Sequence, residues 1–142
     1  MKIQVSFILT IFITFFSASC KKGSVSPKNT TNILGKWNII NDSTFAGVGA
    51  NNHPVNYAGQ TGDYFDLRTD NRIYIKEGTK LDTLSYSLIS DATILIVPFG
   101  IRLNGVPEKS YITNLTAHSA TISAPVGATP GGLFGRKINL NR

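Results

Sequence analysis

From Ile33 to the last residue, short runs of alternating apolar and polar residues recur, broken by clusters of Gly, Pro, Asn and Asp. No long window carries apolar residues at helical spacing. The runs are rich in Ile, Tyr, Phe, Leu and Thr, so the pattern predicts half-buried strands. Ile33–Ile40 is the first. Asp63–Arg68 places Phe65 and Leu67 on one face, and Arg72–Lys76 does the same for Ile73 and Ile75. Thr69-Asp70-Asn71 between them predicts a tight turn, because Asp and Asn tolerate left-handed backbone and bond locally. Leu81–Ile89 alternates Leu84, Tyr86 and Leu88 against Thr83, Ser85 and Ser87, and Thr93–Val97 is apolar on both faces. In Lys109–Thr116, Ile112 and Leu115 have opposite parity, which predicts a bulge near Thr113-Asn114. Ser119–Ala124 and Phe134–Leu140 complete eight strands.

The expected fold is all-β. Eight antiparallel strands of this length close into an up-and-down barrel, which removes exposed edges. They also suit a two-sheet sandwich, and periodicity does not choose between the two. Two connections are long, Asn41–Gly62 and Pro98–Glu108. Loops beyond about 12–15 residues are usually functional or disordered. The first carries Phe45, Val48, Val55 and Tyr57 and is expected to pack back onto the domain. Ala124–Gly132, with two Pro and three Gly, reads as a third, mobile loop.

The first 32 residues follow a different pattern. Lys2 precedes an apolar run, Val5–Phe16, and the small residues Ser17, Ala18 and Ser19 lead to Cys20. A charged start, an apolar core and a small-residue cleavage site define a secretory signal. Residues 3–20 are uncharged, an 18-residue stretch at the short edge of what spans a bilayer, so an uncleaved helix is the rival reading. Lys21–Asn32 is polar and aperiodic. It reads as a flexible tether with a reach of about 40 Å at most. The expected organisation is a signal peptide over 1–19, a modified Cys20 with its tether over 20–32, and one β domain over 33–142.

Cys20 is the chain's only cysteine, so an intramolecular disulfide is impossible, and an unpaired cysteine in an exported chain needs a role. Ser17-Ala18-Ser19-Cys20 resembles the lipobox of bacterial lipoproteins, in which this cysteine is acylated and becomes the N-terminus. The resemblance implies a partner, the lipid bilayer, held through Cys20. The full chain carries a net charge of +6, but its basic residues are scattered, with no run longer than Lys21-Lys22 or Arg136-Lys137. That argues against nucleic acid as a partner.

Leu34-Gly35-Lys36-Trp37 resembles the Gly-x-Trp opening of lipocalins, and a long connection follows it. The order of motifs is closer still to the small lipocalin-like lipoproteins of Bacteroidota. Those run from a lipobox through a polar tether to Gly-x-Trp. An aromatic hairpin follows (here Asp63–Lys76), then Tyr-x-Leu (Tyr86-Ser87-Leu88), Ile-x-x-Leu-Thr (Ile112–Thr116) and a basic last strand. The resemblance implies a barrel plugged at one end by Trp37, with Arg136 packed over it and Arg142 as the other candidate. It also implies that the long connection lids the open end.

Candidate chemistry is sparse. His53 and His118 lie far apart without ligand spacing, which argues against a metal site. Gly-x-Ser-x-Gly and phosphate-loop motifs are absent, and Gly131-Gly132-Leu133-Phe134-Gly135 lacks the strand-to-helix context that phosphate binding needs. Asp63 and Asp66 are a possible carboxylate pair, expected to face solvent. Neither catalysis nor a cofactor is therefore expected. The favoured expectation is a lipid-anchored envelope protein, on the outer membrane and facing the periplasm. It would bind a small apolar or amphipathic ligand in the barrel mouth through Phe45, Tyr57 and Phe99. The alternative is a non-catalytic module with a filled core that binds another envelope protein.

Overall fold

The computed structural model describes the backbone of residues 32–47 and 53–142, and the side chains of 32–44 and 55–142. The expected signal peptide over 1–19, Cys20 and the expected tether up to residue 31 lie outside the described residues. Among the described residues eleven strands follow in order: β1 (Gly35–Gly47), β2 (His53–Ala58), β3 (Tyr64–Leu67), β4 (Arg72–Glu77), β5 (Lys80–Ser90), β6 (Thr93–Val97), β7 (Arg102–Leu103), β8 (Val106–Pro107), β9 (Ser110–Thr113), β10 (Ser119–Thr129) and β11 (Gly132–Asn141). Eight of them, β1, β3, β4, β5, β6, β9, β10 and β11, pair antiparallel with their neighbours in that order. β11 then pairs with β1 and closes the ring. The fold is an eight-stranded up-and-down barrel, and the β1–β11 pairing excludes the open sandwich.

The predicted turn at Thr69-Asp70-Asn71 is present. Asn71 adopts a positive φ of 62°, and Asp70 Oδ1 accepts a hydrogen bond from the Arg72 amide at 3.0 Å. Inward residues of every wall strand then meet in one core, with Trp37, Phe65, Ile73, Ile94, Ile122 and Ile138 fully buried. An eight-stranded barrel is just wide enough for such side chains to fill it. Among the described residues, every ring strand and every core residue lies at or after Ile33, so the chain from Lys21 onward contains all of them.

Several expectations need correction. Asn41–Gly62 is not a lid-like loop. Its first seven residues continue β1 and its middle forms β2, which pairs with them from Asn41↔Ala58 to Ala46↔His53. Ala124–Gly132 is likewise strand, with Thr129 paired to Gly132 across a two-residue turn. Pro125 is tolerated because it falls in the β10 bulge between Ala124 and Gly127, where no ladder bond is required of it. Strands β2, β1, β11 and β10 thus run on past the ring as a four-stranded arm. Pro98–Glu108 contains the small β7–β8 hairpin. β9 has no bulge. It ends at Thr113, and Asn114 turns the chain with a φ of 53°. Leu88 is exposed although it pairs in register with the buried Ile94; the register of β5 shifts just beyond it, between Leu88 and Ser90.

The closed end holds the tryptophan. Trp37 Nε1 donates to the Ile33 carbonyl at 2.7 Å. The guanidinium over its ring, 3.9 Å from the centroid, belongs to Arg142, not Arg136. Register explains this. Asn141 pairs with Asn38 beside Trp37, whereas Arg136 pairs with Thr44, seven residues further along β1 and so about 23 Å away. Arg142 also donates to the carbonyls of Asn32, Leu34 and Ala117, tying the start of the domain to the turn before β10.

Candidate functional site

The end opposite Trp37 is the mouth, and a bulge in β1 determines its chemistry. Trp37 and Ile39 point inward, but the register with β11 shifts between Ile39 and Asn41. Ile40 is the extra residue, so inward parity passes to Asp42 and Thr44. Just opposite, Gly59 turns the chain from β2 toward β3. Its amide donates to the Ile40 carbonyl at 2.9 Å, and a Cβ there would lie 1.8 Å from the Ile39 oxygen, so no other residue fits the crossing.

Asp42 is thereby buried, at 4% exposure. It is paired with Arg136 on β11, whose Nε donates to Oδ1 at 3.1 Å and to Oδ2 at 2.9 Å while Nη2 also reaches Oδ2. The guanidinium lies over the Phe99 ring, 4.7 Å from its centroid, and Phe99 meets Phe65 edge-on at 6.5 Å. Glu77, at the end of β4, completes the group. Its Oε1 stands 3.8 Å from Arg136 Nη2, is buried, and has no hydrogen-bond partner. Burial pushes the Glu77 carboxyl up to about 7, helped by the hydrogen bond and charge of Asp42 and opposed by Arg136.

A second carboxylate knot holds the rim. Asp63 is buried and accepts from the Tyr57 hydroxyl at 2.5 Å, the Gln60 amide at 2.8 Å and the Gly78 amide at 2.8 Å. The Tyr57 bond, aided by the two amides, holds the Asp63 carboxyl below its ordinary range. The same bond, with burial, pushes the Tyr57 phenol up to about 12. Gly78 makes its contact possible by taking a φ of 59° at the first position of the two-residue β4–β5 turn. The knot joins β2, the corner before β3 and that turn.

Between the arm and the β4–β5 turn lies a cleft of about 590 Å³. Its walls are Asp42, Thr44, Val55, Asn56, Tyr57, Gln60, Glu77, Gly78, Thr79, Lys80 and Arg136. The cleft can hold a small molecule and offers it charged, hydroxyl, amide and apolar contacts together. No protein-family model, no curated protein and no solved structure matches the chain.

The residues expected at the mouth divide three ways. Tyr57 lines the cleft. Phe99 is 2% exposed and forms part of the core beneath Arg136, so it is a floor rather than a wall. The Phe45 side chain lies outside the described residues, as does that of His53. His118 is at the closed end, with Nδ1 3.3 Å from the Arg142 carbonyl oxygen. Asp63 and Asp66 do not form a pair: Asp63 is buried, while Asp66 bonds Arg68 at 2.8 Å. Their spacing of three along an extended chain puts them on opposite faces. Asp42 and Glu77 went unrecognised in the sequence. The only signal for Glu77 was its place before Gly78 in a turn, and Asp42 gave none, because its inward direction depends on the bulge.

Proposed function

We propose that this protein is a membrane-tethered, non-catalytic binding protein of lipocalin-like type that takes a small amphipathic ligand in the mouth of its barrel. The observation that carries this reading is the 590 Å³ cleft, which falls in the size range of small-molecule sites and mixes apolar with convergent polar walls. The lower barrel is filled by its own side chains, so the ligand sits at the rim and not deep inside. Asp42, Glu77 and Tyr57 make the site more polar than a carrier of purely apolar molecules needs, which favours an amphipathic ligand.

The tether reading rests on Cys20 and its small-residue approach. The described chain begins at Asn32, held at the closed end by Arg142. An anchor at Cys20 therefore attaches at the end opposite the mouth and leaves the cleft open to the periplasm. Cys20→Ala should release the protein from the membrane fraction. A variant that stays bound as tightly as the parent refutes the anchor.

Native mass spectrometry of Lys21–Arg142, purified without detergent, tests the carrier reading. A reproducible added mass is the expected result, and a clean apo mass counts against it. One observation favours the second reading, a docking module for another envelope protein. Leu81 and Val106, 73% and 63% exposed, both stand at the mouth end. A partner co-purifying with the intact protein, lost on Leu81→Ser with Val106→Ser, would support that alternative.

A further inference from the structure

We propose that the head group taken by the mouth cleft is uncharged and rich in hydroxyls, as in an alkyl glycoside. This rests on the carrier reading and adds the chemistry of the ligand's head.

Charge around the cleft is balanced. Asp42, Asp63 and Glu77 face Lys76, Lys80 and Arg136, three carboxyl groups against three cations. The groups nearest the floor are committed to one another. The Arg136 fork holds Asp42. Asp63 accepts three hydrogen bonds and has Lys76 close by. Glu77 engages Asp42, and its Oε1 is sealed from solvent. Lys80 lines the cleft but is exposed, so an ion pair formed there stays in water and contributes little. A charged head of either sign would give up its hydration without gaining a buried counter-ion.

Uncharged groups are what the cleft leaves open. Thr44 on β1, Asn56 on β2, Gln60 at the corner before β3 and Thr79 in the β4–β5 turn all line it. Among the described residues none of these four side chains makes a hydrogen bond, and Gln60 bonds Asp63 through its backbone amide alone. Side-chain amides and hydroxyls both donate and accept. Sugar hydroxyls do the same, so one head can satisfy several of these groups at once, whereas a simple alcohol brings a single hydroxyl. The two walls are also set in advance. Asp63 accepts from the Tyr57 hydroxyl on one wall and from the Gly78 amide on the other, which holds the arm and the turn in a fixed relation. A ligand is thereby spared the cost of ordering them. The same hydroxyl bond pins the Tyr57 ring, which with Val55 gives the apolar part of the ligand a surface to lie along.

Calorimetric titration of Lys21–Arg142 at pH 8 compares octyl β-glucoside, octanol, octylammonium and octanoate, with methyl β-glucoside as the head alone, all below their micellar concentrations. Octyl β-glucoside should bind at least tenfold tighter than any other probe, the effect of about two further hydrogen bonds. Asn56→Ala, Gln60→Ala and Thr79→Ala combined remove three exposed side chains and should bring it down to the level of octanol. Ser87→Ala, outside the cleft walls, should leave the preference intact. If the triple variant does not fold, the ranking of the probes on the parent still decides. Octylammonium, octanoate or octanol binding as tightly as octyl β-glucoside overturns the inference, and so does a preference that survives the triple variant; each of these leaves the carrier reading standing. Methyl β-glucoside binding as tightly as octyl β-glucoside supports the head assignment and overturns the amphipathic part of the carrier reading. No binding of any probe overturns the head assignment, and together with a clean apo mass it overturns the carrier reading as well.

Discussion

Replacing Glu77 with glutamine should stabilise the protein, by an amount that grows as the pH rises from about 4.3 to about 7 and is then constant. In the folded chain burial, and then Asp42, push this carboxyl from 4.5 up to about 7. In the unfolded chain it titrates near its ordinary value, about 4.3. Between those limits the folded state holds a proton that the unfolded state has released, so stability is highest at the acid end and falls as the pH rises through the interval. Above pH 7 both states are ionised and the whole cost is present. The ceiling on that cost is about 3.5 kcal/mol, at about 1.4 kcal/mol per pH unit. Glu77 keeps 21% of its side-chain surface in water and stands 3.8 Å from Arg136, which brings the expected figure to about 1–2 kcal/mol. Glutamine never ionises and escapes the cost. Thermal unfolding of Lys21–Arg142 followed by circular dichroism at pH 5, 6, 7 and 8 measures the difference. The Glu77→Gln melting temperature should exceed the parent's by about 4–8 °C at pH 8, and the gap should shrink to about a third of that by pH 5. A gap of the same size at both ends, or a variant less stable at pH 8, refutes the claim that Glu77 is ionised at a cost.

Other residues make separate predictions. Arg136→Met leaves the buried Asp42 without its partner and should cost about 3–5 kcal/mol in urea denaturation, with Asp42→Asn in the same chain restoring most of it; a loss under about 1 kcal/mol would show that the pair is not a buried one. Arg142→Ala should lose about 1 kcal/mol and shift Trp37 emission to longer wavelength as the ring is uncovered, while Arg136→Met leaves the emission where it was. The reverse pattern would put the wrong arginine at the plug. Gly59→Ala forces a Cβ into the Ile39 carbonyl and should destabilise by at least about 2 kcal/mol, measured the same way. An unaffected midpoint would mean that the corner before β3 does not cross β1 this closely.

Much of the barrel was legible along the chain because strand alternation is local. Phe65 with Leu67, Ile73 with Ile75, and Ile138 with Leu140 each need only a period of two to share a face, and all six are buried. The Asp70-Asn71 turn was legible for the same reason, since its backbone and side-chain bonds stay within a few residues. The arm was not. Asn41–Gly47 and His53–Ala58 carry the Gly, Asn and Pro of a loop, and they become strand only because each finds a partner, in each other and in β11. Backbone pairing across about 90 residues leaves no mark on local composition.

The sequence by itself determined an all-β domain from Ile33 onward, the identity of most core residues and one hairpin turn, because these follow from periodicity and turn chemistry. Tertiary structure decided three things. Closure of β11 on β1 chose the barrel over the sandwich. The register of that same pair put Arg142 over Trp37 and sent Arg136 to the mouth. The bulge at Ile40 then turned Asp42 inward to meet Arg136 and Glu77, residues 94 and 35 positions away in the chain. A one-residue shift of register moves every following side chain to the other face. The candidate site therefore exists only once the ring has closed.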